Sequence, residues 1–361
     1  MNIILLYGGQ SAEHDISILS AHNIAQMITY EVYSVQPVMI TRDGRWLQGP
    51  KLSAPPAYEG QLHLIKSEEA SWGENASDTS YGVEISPCEI HQEDAIVFPV
   101  LHGPNGEDGT IQGFLETLGL PYVGAGVCAS ACGMDKIITK QLFDHVGIPQ
   151  VPYIAFDRRE WNEDPDALIN KAEGSLLYPL FVKPANMGSS VGISRVEDSE
   201  ALVQAINLAL EYDHRIVVEQ GINADEIEVA VLGNDDAHVS VVGRLVKGAS
   251  FYDYEEKYIN NTVDMEIPAN IEESLSDTIR EYALKAYRAI DGSGLARVDF
   301  FLTSNDDVYI NEINTMPGFT QFSMYPVLWE RTGLSQVDLV EELLQLAIRR
   351  HEQLAQKRVE Y

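Results

Sequence analysis

Phe181 to Ser194 read FVKPANMGSSVGIS: an apolar run, a lysine, then a glycine and serine stretch of the kind that wraps phosphate. In the common phosphate loop the lysine follows the glycines, as G-x-x-x-x-G-K-[ST], and the loop opens a helix. Here Lys183 comes before Gly188-Ser189-Ser190-Val191-Gly192, and the chain resumes with GISRV, which is apolar and β-branched. The glycines therefore join two strands, and the stretch predicts a hairpin flap that covers a ligand.

Around the flap, VPYIAF, PLFVKP, GISRV and RIVVEQ read as strands, with helices near Pro165 to Gly174 and over SEALVQAINLALEY, a compact α+β unit. Upstream, one helix runs through ASACGMDKIITKQLFDHVG and stops at Gly147 before Pro149. Earlier still, NIILLYGG, YSVQPVMI and AIVFPVLHG read as strands, with helical spacing in SILSAHNIAQMI. That alternation predicts an open, largely parallel sheet with ligands beyond the strand carboxyl ends, where Gly8-Gly9 and His102 to Gly109 fall. Residues 51–94 are polar and poor in periodicity, and read as a peripheral insertion without chemistry. Downstream come DEIEVAVLG and HVSVVGRLV, a tyrosine-rich loop, a helix ending near Ile290, the strands LARVDFFL and DVYINEI, and a last helix from Ser335. With a glycine-rich break at GLPYVGAG, the expected class is α/β and α+β. An N-terminal open parallel sheet domain spans 1–124, a central subdomain with the flap 125–215, and a C-terminal subdomain 216–361.

A chain of 361 residues exceeds what one core usually serves, and 45% hydrophobic content supplies several. No stretch approaches the roughly 18 apolar residues of a membrane span, and the start lacks a signal peptide's basic residues, so a cytoplasmic location is expected. Cys88, Cys128 and Cys132 form no C-x-x-C pair, which suits a reducing compartment; Cys128 and Cys132 read as buried free thiols on one helical face. The nine histidines show no zinc spacing. A net charge of -31 argues against nucleic acid or an anionic membrane as partner. The same field repels a nucleotide triphosphate, so any nucleotide site must gather lysines and divalent cations locally.

The acids have their own arithmetic. In LARVDFFLTSNDDVYINEINTMPG, a four-residue turn SNDD pairs Leu302 with Tyr309, Asp299 with Glu312 and Arg297 with Asn314. Glu312 and Asn314 also share a strand face. Directly opposed carboxylates sit about 5 Å apart and repel by roughly 3 kcal/mol at an effective dielectric near 20. A divalent cation held by oxygen ligands, with phosphates completing its shell, offsets that and suits magnesium. The alternative is a solvated edge or one where Arg297 neutralises both acids. Lys136, Lys183 and Lys257 would supply positive charge, although each taken alone reads as a surface lysine.

The blocks GGQSAEHDIS, LHGPNGEDGTIQG, MDK, VKPANMGSSVG, FYDYEEKY, ARVDFF and NEINTMPGFT, in that order, resemble the D-alanine:D-alanine ligases of the ATP-grasp superfamily over nearly the whole chain. The resemblance implies a two-subdomain ATP-grasp fold after the N-terminal domain, with ATP under the flap. By it, Lys136, Lys183 and Ser190 serve the nucleotide, Glu219 lies by the adenine and Glu226 meets the ribose. Asp299, Glu312 and Asn314 hold two magnesium ions, with manganese as a substitute.

The reaction so implied joins two D-alanines through an acyl phosphate for peptidoglycan precursor synthesis. Glu13 and His102 would hold the first D-alanine, Ser323 and Lys257 the carboxylate of the second, and Arg297 with the Gly318 N–H the oxyanion. A tyrosine at the place of Tyr258 closes over the site with Glu13 and Ser189, whereas a phenylalanine there accompanies D-lactate. Tyr258 therefore favours the dipeptide over the alternative D-alanine:D-lactate product. Tyr258 and Ser189 are both candidates to take the proton of the attacking ammonium. The loop Gly248 to Asn261 would act as a closing lid. His14, beside Glu13, reads as structural. A homodimer is expected by resemblance.

Overall fold

The computed structural model describes residues 1–66, 80–246 and 264–356. The opening apolar run forms β1 (Asn2–Gly8), buried from Ile3 onward, and leads into α1 (His14–Met27). Five strands follow: β2 (Ser34–Ile40), β3 (Trp46–Gln48), β4 (Leu64–Lys66), β5 (Ser80–Ile85) and β6 (Ala95–Val100). The sheet order is β4-β5-β3-β2-β1-β6. The half that ends in β6, β2-β1-β6, is parallel, as the apolar strands predict, because both faces are covered. The outer half departs from that expectation: β3 runs antiparallel to β2, and β5 antiparallel to β3.

That outer half also corrects the reading of residues 51–94. They supply β4 and β5, bury Leu62 and Leu64, and accept a 2.7 Å hydrogen bond from the Tyr7 hydroxyl at the Leu62 carbonyl. β4 is too short for alternation to register in sequence, and β5 pairs with each neighbour over only three residues.

After α2 (Thr110–Thr117) the single expected helix is two, α3 (Val127–Met134) and α4 (Lys136–Val146). Asp135 breaks it. Its backbone is extended (φ -83°, ψ 101°), and its carboxylate accepts from the N–H groups of Ile137 and Ile138, both at 3.1 Å, an N-cap that starts a new helix. The break makes Lys136 the first residue of α4. On α3, Cys132 is half-buried and Cys128 is exposed, so the two buried thiols expected there are not found.

The flap unit contains β7 (Tyr153–Asp157), α5 (Arg158–Glu163), α6 (Pro165–Ser175), β8 (Leu180–Pro184), β9 (Ser194–Val196), α7 (Ser199–Tyr212) and β10 (Arg215–Gln220). Its sheet, β7-β10-β8-β9, is antiparallel throughout. Asp198 caps α7, and Leu202, Ala205, Ile206, Ala209 and Leu210 form the buried stripe that seats it. β8 and β9 pair Leu180 with Val196 and Val182 with Ser194, so the glycine stretch does connect neighbouring antiparallel strands.

The remaining chain forms β11 (Ala224–Gly233), β12 (His238–Val239), β13 (Gly243–Val246), β14 (Asp264–Glu266), α8 (Glu273–Ala289), β15 (Gly294–Thr303), β16 (Val308–Asn314), α9 (Met324–Thr332) and α10 (Gln336–Ala355). The strand order is β14-β13-β11-β15-β16, with β12 on β11. α10 begins at its Ser335 cap, as expected. Its apolar face, including Leu339, Leu343 and Ala347, joins the core of the N-terminal sheet with Ile3, Leu5 and Ile96. Chain end and chain start thus share one core. Among the described residues no helix is long and apolar enough to cross a membrane.

Candidate active site

Asp299 pairs with Glu312 and Arg297 with Asn314 across β15 and β16, as the sequence arithmetic predicts, but by a different route. The turn is one residue shorter than expected: Thr303 accepts from Asp306 N, its N–H donates to Asp307 O, and Asp306 is left-handed (φ 65°). Leu302 therefore pairs with Val308 instead of Tyr309. A bulge between Ile310 and Glu312 then adds the missing residue, and the two offsets cancel at Asp299.

At this sheet end Arg297 donates to both oxygens of Asp299, at 2.7 and 2.6 Å, and lies 3.0 Å from Glu228. The arginine-paired edge thus exists, but its second acid is Glu228, opposite Asp299 on β11. Burial works against the guanidinium charge; Asp299 and Glu228 outweigh it and raise the Arg297 pKa well above its ordinary value. Asn314 Oδ1 accepts from the Met316 N–H at 2.8 Å.

No three His, Cys, Asp or Glu side chains among the described residues could hold a metal by themselves. An ion at this end would need Asn314 and non-protein oxygens beside Asp299 and Glu312. The all-oxygen donor set fits magnesium, which keeps few protein ligands.

Lys183, next to last in β8, lies within hydrogen-bond reach of Glu219 on β10, Nζ to Oε2 2.7 Å. Lys140, one turn beyond Lys136 on α4, reaches the other oxygen at 3.1 Å. Burial alone would raise the Glu219 pKa, but the two lysines carry it down to about 2. Lys136 donates to the Met187 carbonyl at 2.6 Å; burial lowers its pKa, with Glu312 opposing. Lys136, Lys183, Ser189, Ser190, Glu219, Glu226, Asp299 and Glu312 line a cavity of about 230 Å³ beneath the flap.

A second cavity, about 510 Å³, is lined by Glu13, His102, Lys136, Ser189, Arg297, Glu312, Asn314, Gly318 and Ser323. Lys136, Ser189, Glu228 and Glu312 border both, so the two adjoin. Glu13 precedes α1 and is buried. His102 Nδ1 is 3.6 Å from Glu107; burial would lower its pKa, but Glu107 and Glu13 raise it. Ser323 Oγ accepts from the Thr320 N–H at 2.9 Å, and a Cβ on Gly318 would meet that oxygen at 2.9 Å. His14 is buried with its Nδ1 2.8 Å from the Gly9 carbonyl, the structural place expected for it.

The flap reaches Glu13: a Cβ on Gly188 would lie 3.5 Å from its Oε2 and 3.8 Å from that of Glu107. At the tip Ser189 and Ser190 are both left-handed (φ 49° and 60°), a conformation that costs about 1–2 kcal/mol per non-glycine residue. Such strain gathers at functional sites.

Lys257, Tyr258 and the loop Gly248 to Asn261 lie outside the described residues. Sequence reasoning missed Lys140, Glu107, Glu228 and Glu59, all but Lys140 bordering a cavity. Lys140 carried a signal in its i, i+4 spacing from Lys136. Glu228 carried none, since it faces Asp299 only once β11 is paired.

The family descriptions "D-ala D-ala ligase N-terminus" and "D-ala D-ala ligase C-terminus" match residues 2–125 and 142–345. A D-alanine--D-alanine ligase of Enterococcus faecalis is 57% identical over 352 residues, 97% of this chain and 99% of that relative. The enzyme of the same name from Enterococcus hirae is 55% identical over 353 residues, 98% of each. Among solved structures, the D-alanine-D-alanine ligase from Coxiella burnetii superposes with a TM-score of 0.80 at 35% identity, covering 98% of this chain and 97% of that one. The VanG D-Ala:D-Ser ligase from Enterococcus faecalis gives 0.79 at 35%, covering 96% and 99%. The motifs read in sequence, the adjoining cavities and these matches agree: this chain belongs to the D-alanine–D-alanine ligase family.

Proposed function

We propose that this chain joins two D-alanines to D-alanyl-D-alanine, with ATP converted to ADP and phosphate, for peptidoglycan precursor synthesis. The observation that carries the reading is the pair of adjoining cavities, one lined by lysines and carboxylates under the flap, the other by Glu13, His102, Arg297 and Ser323. ATP takes the first, with Lys136, Lys183 and Ser190 at its phosphates and Glu219 and Glu226 toward its nucleoside. Asp299, Glu312 and Asn314 would hold two magnesium ions, or manganese in their place; bound there, they neutralise phosphate charge, which phosphoryl transfer needs more than covalent help.

The first D-alanine carboxylate attacks the γ-phosphorus and ADP leaves. Glu13 accepts from the substrate ammonium, and His102, holding its proton to higher pH than usual, faces the carboxylate end. The second amine then attacks the acyl carbon of the acyl phosphate. Arg297 and the Gly318 N–H stabilise the oxyanion and phosphate departs; the proton of the second D-alanine's ammonium leaves before the attack through the Ser189 or Tyr258 hydroxyl, which passes its own proton on to solvent. Ser323 and Lys257 grip the second carboxylate.

The same reading takes the chain as cytoplasmic and homodimeric, divided at residues 124 and 215. ATP consumption with D-alanine against L-alanine, with the product identified, is the test. Phosphate release that ignores D-alanine would sink the proposal.

A further inference from the structure

Glu219 is buried and has two ammonium partners placed differently. Lys183 borders the smaller cavity; Lys140 borders neither cavity. Lys140 lies behind, its side chain 3% exposed, with its Nζ 5.1 Å from the centroid of the Tyr153 ring. Its ammonium has no hydrogen-bond partner of good geometry among the described residues, so the 3.1 Å ion pair with Glu219 is its principal tie. The third cation nearby, Lys136, is already donating to the Met187 carbonyl.

If the smaller cavity takes a triphosphate, as the proposed function has it, Lys183 must exchange the Glu219 carboxylate for phosphate oxygen. A buried carboxylate stripped of its cation is strongly unfavourable. We propose that Lys140 is a positioning residue that keeps Glu219 paired from behind the nucleotide cavity, freeing Lys183 to turn to phosphate. Lys140 touches no reacting atom. It sets how easily Lys183 is released, and so acts on nucleotide affinity and not on the D-alanine side.

The test is a double-mutant cycle on the full chain, reading KM for ATP, KM for D-alanine, kcat and the melting temperature. Lys140→Met is expected to raise KM for ATP by about tenfold or more, the range for breaking a buried pair, with KM for D-alanine unchanged. In the E219Q background the same substitution should change KM for ATP by less than about threefold, because the anion that needed Lys140 is gone. Equal effects in both backgrounds, or KM values for both substrates rising together, would assign Lys140 a packing role and overturn the proposal. Should Lys140→Met not fold, Lys140→Gln in the same two backgrounds gives the same comparison. Lys183→Met separates the two readings. If it leaves ATP binding intact, the nucleotide assignment of the cavity fails; if it abolishes binding while Lys140→Met has no effect, only the positioning role fails.

Discussion

Asp299 and Glu312 face each other across β15 and β16 because a hairpin turn one residue shorter than expected is followed by a one-residue bulge. The pairing sets two carboxylates at one sheet end, and Arg297 donates to both oxygens of Asp299 and lies 3.0 Å from Glu228.

Glu312→Gln removes one charge from that pair. Magnesium-dependent turnover should fall by about a hundredfold or more, the scale of losing an electrostatic group at a reacting centre. The melting temperature should stay within about 2 °C of the parent, since partly exposed polar changes usually cost under about 0.5 kcal/mol. Full activity in this variant would remove the metal assignment.

Gly318→Val places a side chain where a Cβ already comes within 2.9 Å of Ser323 Oγ. The serine must move. KM for D-alanine should rise by about tenfold, a contact-level loss of about 1.4 kcal/mol, with KM for ATP unaffected. Steady-state kinetics varying each substrate in turn reads this out.

Gly192 is left-handed (φ 71°), and a Cβ there would meet the Tyr212 ring at 2.7 Å and Pro184 at 2.8 Å. Gly192→Ala should therefore distort the flap and raise KM for ATP by severalfold, while the melting temperature drops by only a few degrees, because an unsuitable left-handed residue costs about 1–2 kcal/mol.

His102 titrates above its ordinary 6.5, because Glu107 and Glu13 outweigh burial. A folded-state pKa raised above the unfolded one gives stability that is fully present below pH 6.5 and is lost as pH rises through the folded value. The gap in unfolding free energy between the parent and His102→Gln should be widest near pH 6 and narrow toward alkaline pH. Denaturant titrations at several pH values would show it; a gap that widens with pH contradicts the assignment.

Tyr258→Phe should shift the product from D-alanyl-D-alanine toward the D-lactate ester when both second substrates are supplied. Mass analysis of the product mixture across pH decides it, and an unchanged ratio removes the specificity role of the hydroxyl.

Much of this was legible in sequence where the signal is local. The reversed order of Lys183 and its glycines identified a hairpin flap, and the apolar runs located β1, β6, β10 and α7 nearly to the residue. Period-two counting brought Asp299 to Glu312, although its turn was a residue too long and the bulge restored the match. The break at Asp135 was missed because an aspartate inside an apolar-periodic run does not announce that it caps. Residues 51–94 hid their strands because three-residue ladders draw their order from neighbours.

The order of the chain alone determined which residue types could hold phosphate, cation and amino acid, since strand alternation and glycine placement depend only on adjacent residues. Which charges became partners was decided by the folded chain. Glu219 took Lys140 as well as Lys183, Arg297 took Glu228, and Glu13 met the flap at Gly188. Those contacts join residues far apart in the chain. Burial makes an uncompensated charge costly there, and only three-dimensional packing fixes which opposite charge lies within reach.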